Sequence, residues 1–541
     1  MALVQIKTFG GISPKVSPRL LQDNQAQVAT NCAVFSGTII PLPGVSSTLT
    51  TLSKVGTPKT IYRFGQDVIS DVNYWFHWTS DVDVARSQIA GDTSEWTFYT
   101  DGVQPKATYS ALALSGTGTD YPVVSRPLGL PAPTSACTVS AGAAPSGSTA
   151  TPETRVYAYT MVSKESGYEF ESAPAAASVG VDVVPEQPVT IGGFAAIPSG
   201  YNVTHRRIYR STAGTFLFVA EITSATTSYE DTKLAEDLGE EVPSLTWLQP
   251  PAELKGLINM PNGMMAGFKG RDVYFCDPYH PHAWPAQYQQ SLDYPVVGLG
   301  RMDTTLAVLT TGSPYIIQGS HPDSMTVVKS DLEQSCVSKR SIVSFNGSVI
   351  YASPDGLVML SSSGSKVITE QYFIRSQWQA FFKPESIHAY QHDLKYIAFY
   401  DTGTTQGGFI YDTTSGILTM HDIYATAGYN DLQNDKLFLA FADRTVKSWF
   451  DGAAKSFVWR SKKFTFPKPL SMACAQLEAE AYPVTVKFYV DGSLAYTHTV
   501  QDRVPFRLAA VSGRDWEVQI EGDTEVFGFA MSQNMMELSD V

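Results

Sequence analysis

The sequence predicts an all-β protein: a β-propeller of about six blades with an inserted β-sandwich and a C-terminal antiparallel β domain. Turn-forming residues are frequent, since glycine and proline supply 41 and 32 of the 541 residues. Short segments of alternating apolar residues recur along the chain. Five of these segments are spaced at roughly 40 to 50 residues, which is the period of propeller blades.

The overall composition excludes two classes of protein. Only 17% of the residues are charged and 43% are hydrophobic, which is typical of a globular chain rather than a disordered one. No apolar run approaches the roughly 18 residues that a membrane-spanning helix needs. The net charge of −14 disfavours a protein that holds nucleic acid by neutralising its phosphates.

The first residues and the cysteines indicate the cell compartment in which the chain folds. Three apolar residues after Met1 are too few for a signal peptide. The five cysteines are scattered along the chain without a C-x-x-C pair, which argues against a zinc ribbon or a redox motif. We therefore expect buried, reduced thiols and folding in a reducing cytoplasm.

Residues 1–50 are predicted to form an N-terminal arm with a short helix. A glycine- and proline-containing turn at residues 10–14 precedes a narrow apolar stripe at 3.6-residue spacing, formed by Leu21, Gln25, Val28, Ala29 and Cys32. Such a short helix is not stable alone. We expect the arm to dock on a neighbouring subunit or on another component.

Residues 51–120 and 253–455 are predicted to form the propeller. In the first part, aromatic strand signals make about one four-stranded sheet. In the second part, the repeated strands centre on residues 264–268, 305–309, 349–353, 396–400 and 437–441. Propellers protect their strand edges by radial closure, so the residues between the two parts are interpreted as an insertion between the first and second blades.

The predicted insertion, residues 121–252, lies between two proline-rich boundaries. Strand signals at residues 156–162, 189–191, 207–211 and 216–222 favour a sandwich. The segment resembles a fibronectin type III module in Tyr157-x-Tyr159, in residues 171–174 (ESAP) and in residues 227–231 (TSYED).

Residues 456–541 are predicted to form the C-terminal β domain. Apolar residues alternate over positions 484–490, and Asp491-Gly492 then supplies the positive φ angles of a type I′ hairpin turn. In a later strand, Trp516, Val518 and Ile520 point to one face. Glu517, Gln519 and Glu521 are predicted to point to the opposite, solvated face.

Local catalytic signatures are missing from the sequence, which has no G-x-S-x-G, H-E-x-x-H, P-loop or C-x-x-C motif. Gly298-Leu299-Gly300 lacks the third glycine of a dinucleotide site and is interpreted as a blade turn. Residues 353–356 (SPDG) resemble part of a sialidase aspartate box without its Thr-Trp end, and are interpreted as a hairpin turn. We assign no catalytic, cofactor-binding or metal-binding residue and expect no cofactor.

Two groups of side chains have the chemistry of metal ligands. The first group is His280, His282, His321 and Asp323, and the second is Asp71, Asp81 and Asp83. For the histidines we favour a blade loop made rigid by proline and packed by Trp284, because a site needs three or four convergent ligands. For the aspartates we favour a solvated turn, because no segment has the ligand count of an EF-hand loop.

Aromatic and basic clusters also have two interpretations. Residues 74–78 (YWFHW) suit a sugar-stacking platform, but a strand divides them between two faces, so we favour packing. The basic clusters at residues 205–207 and 460–463 are too short for phosphate-binding stripes. We predict that both are solvated strand ends.

A family likeness rests on several motifs taken together. They are residues 9–14 (FGGISP), 19–21 (RLL), 31–32 (NC), 41–43 (PLP), 207–211 (RIYRS), 281–285 (PHAWP), 321–325 (HPDSM) and 353–357 (SPDGL), with Gln25, Ala26 and Gly37. In these motifs the chain resembles the tail nozzle, or tail tubular protein B, family of short-tailed bacteriophages. The resemblance spans most of the chain and implies a β-propeller protein without catalytic residues.

The resemblance also implies partners and a location. Members of the family assemble as a homo-oligomeric ring, usually a hexamer, below the head-to-tail adaptor of the virion. The ring is assembled in the host cytoplasm, supports tail fibres or spikes and forms the distal DNA channel. Double-stranded DNA passes its lumen without specific binding. The negative charge is compatible with this role, because a basic lumen would hold DNA through counterion release.

Other functions stay open from the sequence alone. A glycan-degrading propeller enzyme would need two carboxylates about 5 to 10 Å apart in its central pocket. A glycan-binding, receptor-binding tail component would use the aromatic clusters. The insertion alone could also bind fibres or cell-surface sugar while the propeller is structural.

Overall fold

The computed structural model describes residues 3–65, 74–345 and 347–538. About 45% of the chain is β-strand and 6% is helix, which confirms the all-β class. The described α-helices are Ser110–Ala113 and Arg375–Phe382. Short 3-10 helices are Ala235–Asp237, Ala286–Tyr288, Pro322–Ser324, Lys339–Ser341, Pro384–Ser386 and Met535–Leu538. Within these ranges no helix has the length and apolarity to cross a bilayer.

Seven small antiparallel sheets follow one another along the described chain, numbered 1 to 7 here. Sheet 1 is Thr60–Arg63 and Trp75–Trp78, and sheet 2 is Asp83–Arg86, Thr97–Thr100, Lys106–Thr108 and Arg126–Pro127. Sheet 3 is Lys255–Asn259, Met265–Lys269, Asp272–Phe275 and Gln289–Ser291, and sheet 4 is Val296–Met302, Thr305–Thr310, Tyr315–Gln318 and Thr326–Lys329. Sheet 5 is Val343–Phe345, Ser348–Ala352, Leu357–Ser361 and Gly364–Val367. Sheet 6 is His388–His392, Lys395–Asp401, Gln406–Asp412 and Leu418–His421, and sheet 7 is Ala427–Asp431, Lys436–Ala440, Thr445–Ser448 and Thr50–Thr51.

The first strands of these sheets contact one another in a closed circle. From sheet 2 to sheet 7 each first strand contacts the next, and the first strand of sheet 7 contacts that of sheet 1. Sheets 1 and 2 meet where the Thr60 hydroxyl donates to Ser80 O and accepts from Val82 N. A buried ion pair between Arg63 of sheet 1 and Asp431 of sheet 7 lies at the closing joint.

The five predicted repeats form the second strands of sheets 3 to 7, so the repeat is confirmed. Between residues 51 and 120, however, the chain forms two sheets where one was predicted. The added strand is Asp83–Arg86 (DVAR), which is too short and polar to give a strand signal. The insertion therefore follows sheet 2, whose last strand, Arg126–Pro127, lies within the predicted insertion.

The insertion forms three sheets of its own. They are Thr138–Ala141 with Val189–Gly192 and Ser228–Asp231, Glu153–Arg155 with Val181–Val183, and Tyr168–Glu171 with Tyr157–Glu165, His205–Thr212 and Thr215–Thr223. Apolar side chains from these sheets form one continuous core with sheets 2 and 3. The insertion is thus packed firmly against the circle of sheets.

Several strands of the C-terminal residues continue sheet 6, and the others form a sheet with the N-terminal strand. Leu418–His421 is followed in the same sheet by Ala26–Thr30, Phe457–Ser461, Gly513–Gly522, Val484–Val490 and Ser493–Val500, with Phe464–Leu470 beside Gly513–Gly522. A four-stranded sheet joins Leu3–Ile6, Val526–Ser532, Cys474–Ala479 and Phe506–Arg507, and Cys32–Ala33 pairs with Ile40–Pro41. The hairpin turn has the predicted positive φ angles, 49° at Asp491 and 85° at Gly492.

The prediction of a helix in the N-terminal arm is wrong, because Ala26–Thr30 is a strand. Its backbone links sheet 6 to Phe457–Ser461, and these inter-strand hydrogen bonds outweigh a weak helical spacing. Phe9 packs edge-on against Trp459, with ring centroids 4.9 Å apart. The arm therefore packs within its own chain, and removal of residues 1–44 would open the main core as well as affect any assembly.

We expect Gly11→Ala to destabilise the chain, because the arm is closely packed. A Cβ atom at residue 11 would lie 2.3 Å from the carbonyl oxygen of Leu418 and 2.8 Å from the side chain of Ile417. Overpacking of this kind costs about 1 to 3 kcal/mol, which a urea unfolding midpoint would detect. The control is Gly118→Ala, where a Cβ atom would meet nothing within 4 Å. Equal midpoints for the two variants would contradict an arm anchored on its own chain.

Candidate functional site

The first strands of the seven sheets surround an axis, and one end of this axis is closed by a group of charged residues. Lys339 and Arg340 lie in the 3-10 helix just before the first strand of sheet 5. Lys339 Nζ lies 3.0 Å from Asp81 Oδ2 and 2.7 Å from Asp83 Oδ1. Asp83 Oδ2 also accepts a hydrogen bond from the Gly256 backbone N–H at 2.6 Å. We call Asp81, Asp83, Lys339 and Arg340 the axial plug.

Arg340 extends the axial plug across the axis. Its Nη2 donates to the carbonyl oxygens of Lys59 at 2.8 Å and Thr426 at 2.6 Å, and it reaches the Tyr390 hydroxyl at 3.4 Å. Lys59 and Thr426 directly precede the first strands of sheets 1 and 7, and Tyr390 lies in the first strand of sheet 6. The plug thus links the first-strand regions of six of the seven described sheets.

The charges of the axial plug are neutralised internally. Burial acts to lower the pKa of Lys339, but the charges of Asp83 and Asp81 outweigh it and raise that pKa above its usual value. Lys339 therefore keeps its proton at neutral pH. The predicted solvated turn is wrong for Asp83, which begins a strand and whose side chain is only 19% exposed and is paired with Lys339. Asp71, the third residue of that group, lies outside the described residues.

The opposite end of the axis holds a cavity of about 460 Å³. It is lined by the ends of the first strands of sheets 4 to 7 and the residues beside them, namely Arg301, Asp303, Ile342, Val343, Ser344, Phe345, Ala389, Tyr390, Gln391, Asn430 and Leu432. We call it the axial cavity. Tyr390 connects the two ends, because it lines the cavity and its hydroxyl contacts Arg340 of the plug.

The two histidines of the 280–282 loop lie at the joint between the insertion and sheet 3. His280 Nδ1 lies 2.8 Å from Asp277, and the buried His282 accepts a hydrogen bond from Glu171 N at 3.3 Å. Burial and the nearby His280 lower the pKa of His282 to about 3, so it stays neutral. Trp284 is buried and donates to Pro281 O, which confirms a packed loop.

The other proposed metal ligands do not join this pair. His321 lies 3.5 Å from Asp323 and packs against Tyr288. Throughout residues 3–65, 74–345 and 347–538, no group of three or more His, Cys, Asp or Glu side chains has the arrangement of a metal site.

Two short motifs turn out to be structural. Gly298 and Gly300 lie within a strand of sheet 4, not in a turn as predicted. A Cβ atom would lie 2.4 Å from Ile342 at position 298 and 2.8 Å from Val349 at position 300, so these glycines allow close packing of sheets 4 and 5. Residues 353–356 form the predicted hairpin turn, in which Ser353 Oγ donates to Gly356 O at 2.9 Å.

The aromatic and basic clusters also act in packing. Trp75, Phe76 and His77 are buried, which confirms packing as the better interpretation of residues 74–78. The prediction of solvated basic strand ends is wrong. Arg207 pairs with Glu169, Glu171 and Glu221, and Arg460 and Lys463 pair with Glu517. Glu517 is itself buried, contrary to its predicted solvated face, because Arg460 of the neighbouring strand and Lys463 just after that strand pair with it.

Sequence reasoning missed the axial plug. Its residues are far apart in the chain and meet only when the sheets close into a circle. The local signal at residues 339–340 is only two adjacent basic residues before an apolar strand. Two adjacent cations are typical of many solvated turns, so the sequence alone gives no reason to select this pair.

Comparisons with known proteins identify no family for this chain. No family model and no curated protein matches it. An exo-β-1,3-galactanase from Phanerochaete chrysosporium is similar at a TM-score of 0.21 and 9% identity, over 70% of this chain and 100% of that one. PorZ, from the type-IX secretion system of Porphyromonas gingivalis, has a TM-score of 0.25 and 10% identity, over 59% of this chain and 43% of that one. A Bacteroides thetaiotaomicron protein of unknown function has a TM-score of 0.24 and 7% identity, over 70% of this chain and 100% of that one. These scores are too low to support a functional argument, and none of the three is described as a tail protein.

Proposed function

We propose that the chain is a structural subunit of a phage tail nozzle, a ring that continues the DNA channel below the head-to-tail adaptor and supports tail fibres. In this proposal the ring is a homo-oligomer, most simply a hexamer, located in the virion. DNA passes its lumen without specific binding, and the chain performs no bond-making step.

In finer detail, we propose a propeller of seven blades rather than six, one for each sheet of the closed circle. The strand Thr50–Thr51, from the N-terminal part of the chain, pairs with Thr445–Ser448 and completes the last blade. Such a pairing between the two ends of a propeller holds the circle of blades closed.

For the insertion we propose a fibronectin type III-like sandwich. Two buried networks support it, because Tyr157 and Arg210 both donate to Asp231, and Tyr209 and Arg207 both donate to Glu171.

The observation that carries the proposal is the position of the motif residues on which the family likeness rests. Gly10 O accepts a hydrogen bond from the Trp459 indole at 3.1 Å, which joins the arm to the C-terminal residues. Asn31 Nδ2 donates to Asp422 at 3.0 Å, which joins the arm to the end of sheet 6. His282 accepts from Glu171 N at the joint with the insertion. These residues hold the parts of the chain together, as a rigid ring subunit requires.

The axial plug bears on the path of the DNA. A duplex cannot pass through the centre of one propeller whose axis is crossed by Lys339 and Arg340. A channel would therefore run between subunits arranged around a common axis. The plug also counts against a glycan-degrading enzyme, because Lys339 neutralises the axial carboxylates Asp81 and Asp83 that acid and base catalysis would use.

Acidic charge is concentrated in the insertion. Residues 121–252 contain 13 acidic and 7 basic side chains, and Glu236, Asp237, Glu240 and Glu241 form an exposed acidic segment. In a ring, carboxylates that face the lumen would repel the phosphates of DNA and so let it slide.

Sedimentation of the purified chain with and without duplex DNA tests the proposal. We expect a complex of about six chains of 58.9 kDa each. We also expect no co-sedimentation of DNA at roughly 150 mM salt, because a net acidic ring gains nothing from counterion release. A strictly monomeric chain at all concentrations, or tight DNA binding at that salt concentration, would contradict the proposal.

A further inference from the structure

The axial cavity has the size of a small-molecule site. Its volume of about 460 Å³ falls within the range of roughly 300 to 1,000 Å³ that is usual for ligand pockets. Access comes from one end of the axis, because the axial plug crosses the other end. We propose that the axial cavity binds a neutral saccharide, in addition to any role of the chain in a ring.

The polar groups of the cavity suit sugar hydroxyls. Asn430 Nδ2 donates to Gln391 Oε1 at 3.3 Å, so the two amides are fixed side by side on the first strands of sheets 7 and 6. No hydrogen bond to the described residues occupies the remaining Gln391 Nε2 and Asn430 Oδ1. The pair thus offers one donor group and one acceptor together, and adjacent sugar hydroxyls can satisfy both, because each hydroxyl donates and accepts.

The charges of the lining favour a neutral ligand. Arg301 is the one cation and Asp303 the one anion among the residues that line the cavity. One carboxylate oxygen of Asp303 accepts from Gly347 N at 3.2 Å, and the Arg301 guanidinium has no ion-pair partner among the described residues. A phosphate or a multiply charged ligand would meet a lining without net positive charge.

The apolar part of the lining suits the C–H face of a sugar ring. Phe345 and Tyr390 are half-buried, so each keeps part of its surface accessible. An aromatic surface beside convergent hydrogen-bonding groups combines apolar contact with orientation, which is the usual composition of a small-ligand site.

Saturation-transfer NMR and calorimetry with methyl glycosides of neutral hexoses and N-acetylhexosamines test this site in the full-length chain. We expect at least one glycoside to bind with a Kd in the millimolar range, and binding to persist when salt is raised. The double variant Gln391→Ala, Asn430→Ala should weaken binding about tenfold, from the loss of two hydrogen bonds. Arg301→Ala, at an exposed position on the rim of the cavity, should weaken binding several-fold. This variant tests the site if the double variant does not fold.

The matched control is Arg271→Ala, which removes an exposed arginine from a hairpin of sheet 3 and should leave binding unchanged. The proposal is overturned if none of these glycosides binds at up to roughly 20 mM. It is equally overturned if the cavity variants bind as well as the control, or if only acidic sugars bind and salt abolishes their binding.

Discussion

Asp431→Ala is expected to lower the free energy of unfolding by about 3 to 5 kcal/mol, because it removes one member of a buried, hydrogen-bonded ion pair. The Arg63 and Asp431 side chains are each 2% exposed and join sheet 1 to sheet 7. Asp431 also accepts hydrogen bonds from Gln433 N at 3.1 Å and from the Asn434 side chain at 2.9 Å. The substitution therefore weakens the joint that closes the circle of sheets.

Urea unfolding of two comparison variants makes this prediction specific. Glu478→Ala breaks the exposed pair with Arg503, whose side chains are 43% and 67% exposed, and should cost less than about 1 kcal/mol. The double variant Arg63→Met, Asp431→Leu should recover much of the loss, because apolar residues of similar volume replace both members of the buried ion pair. Equal unfolding midpoints for Asp431→Ala and Glu478→Ala would show that the circle does not depend on this pair.

Trp96→Ala is expected to cost about 3 to 5 kcal/mol and to loosen the insertion, because it empties the core of the joint. Trp96 precedes a strand of sheet 2 and is 2% exposed. Its ring centroid lies 5.1 Å from that of Tyr168 and 5.3 Å from that of Phe170, both in the insertion. Its indole nitrogen also donates to Ser166 O at 3.3 Å.

Hydrogen exchange at the two connections of the insertion, near residues 126–137 and 244–252, measures the loosening. The matched control is Trp378→Ala, which removes a fully buried tryptophan from the core beside sheets 5 and 6. We expect both variants to lose stability, but only Trp96→Ala to raise exchange at the connections. The same exchange pattern in both variants would contradict a rigid joint built around Trp96.

The strands most visible in the sequence are those buried on both faces. The second strands of sheets 3 to 7 are short, almost wholly apolar runs between turns, so composition alone identifies them. The apolar spacing predicts a helix around Ala26–Thr30, but these residues form a strand, because two neighbouring strands that lie far away in the sequence stabilise it. Asp83–Arg86 was missed for the same reason, since tertiary pairing defines it and local propensity does not.

Buried charge was the least predictable feature. The sequence places Glu517 on a polar face. That face becomes a buried ion-pair network only when Arg460, in a neighbouring strand, and Lys463, in the connection after that strand, pack against it. The axial plug has the same character, because its contacts join the first-strand regions of six sheets. The burial of the cysteines was easier to predict from the sequence than the burial of the charges. All five cysteines are free and buried as expected. Burial raises the pKa of Cys276 to about 12, so that thiol stays protonated.

Electron-microscopy class averages of the assembled protein, viewed along its symmetry axis, test whether the chain forms a ring around an open channel. We expect a ring of identical subunits around an open hole, with the centre of each propeller closed at Lys339 and Arg340. When DNA is present, its density should lie in the shared hole. Isolated particles without rotational symmetry, a ring without a hole, or DNA density through the centre of a propeller would contradict this expectation.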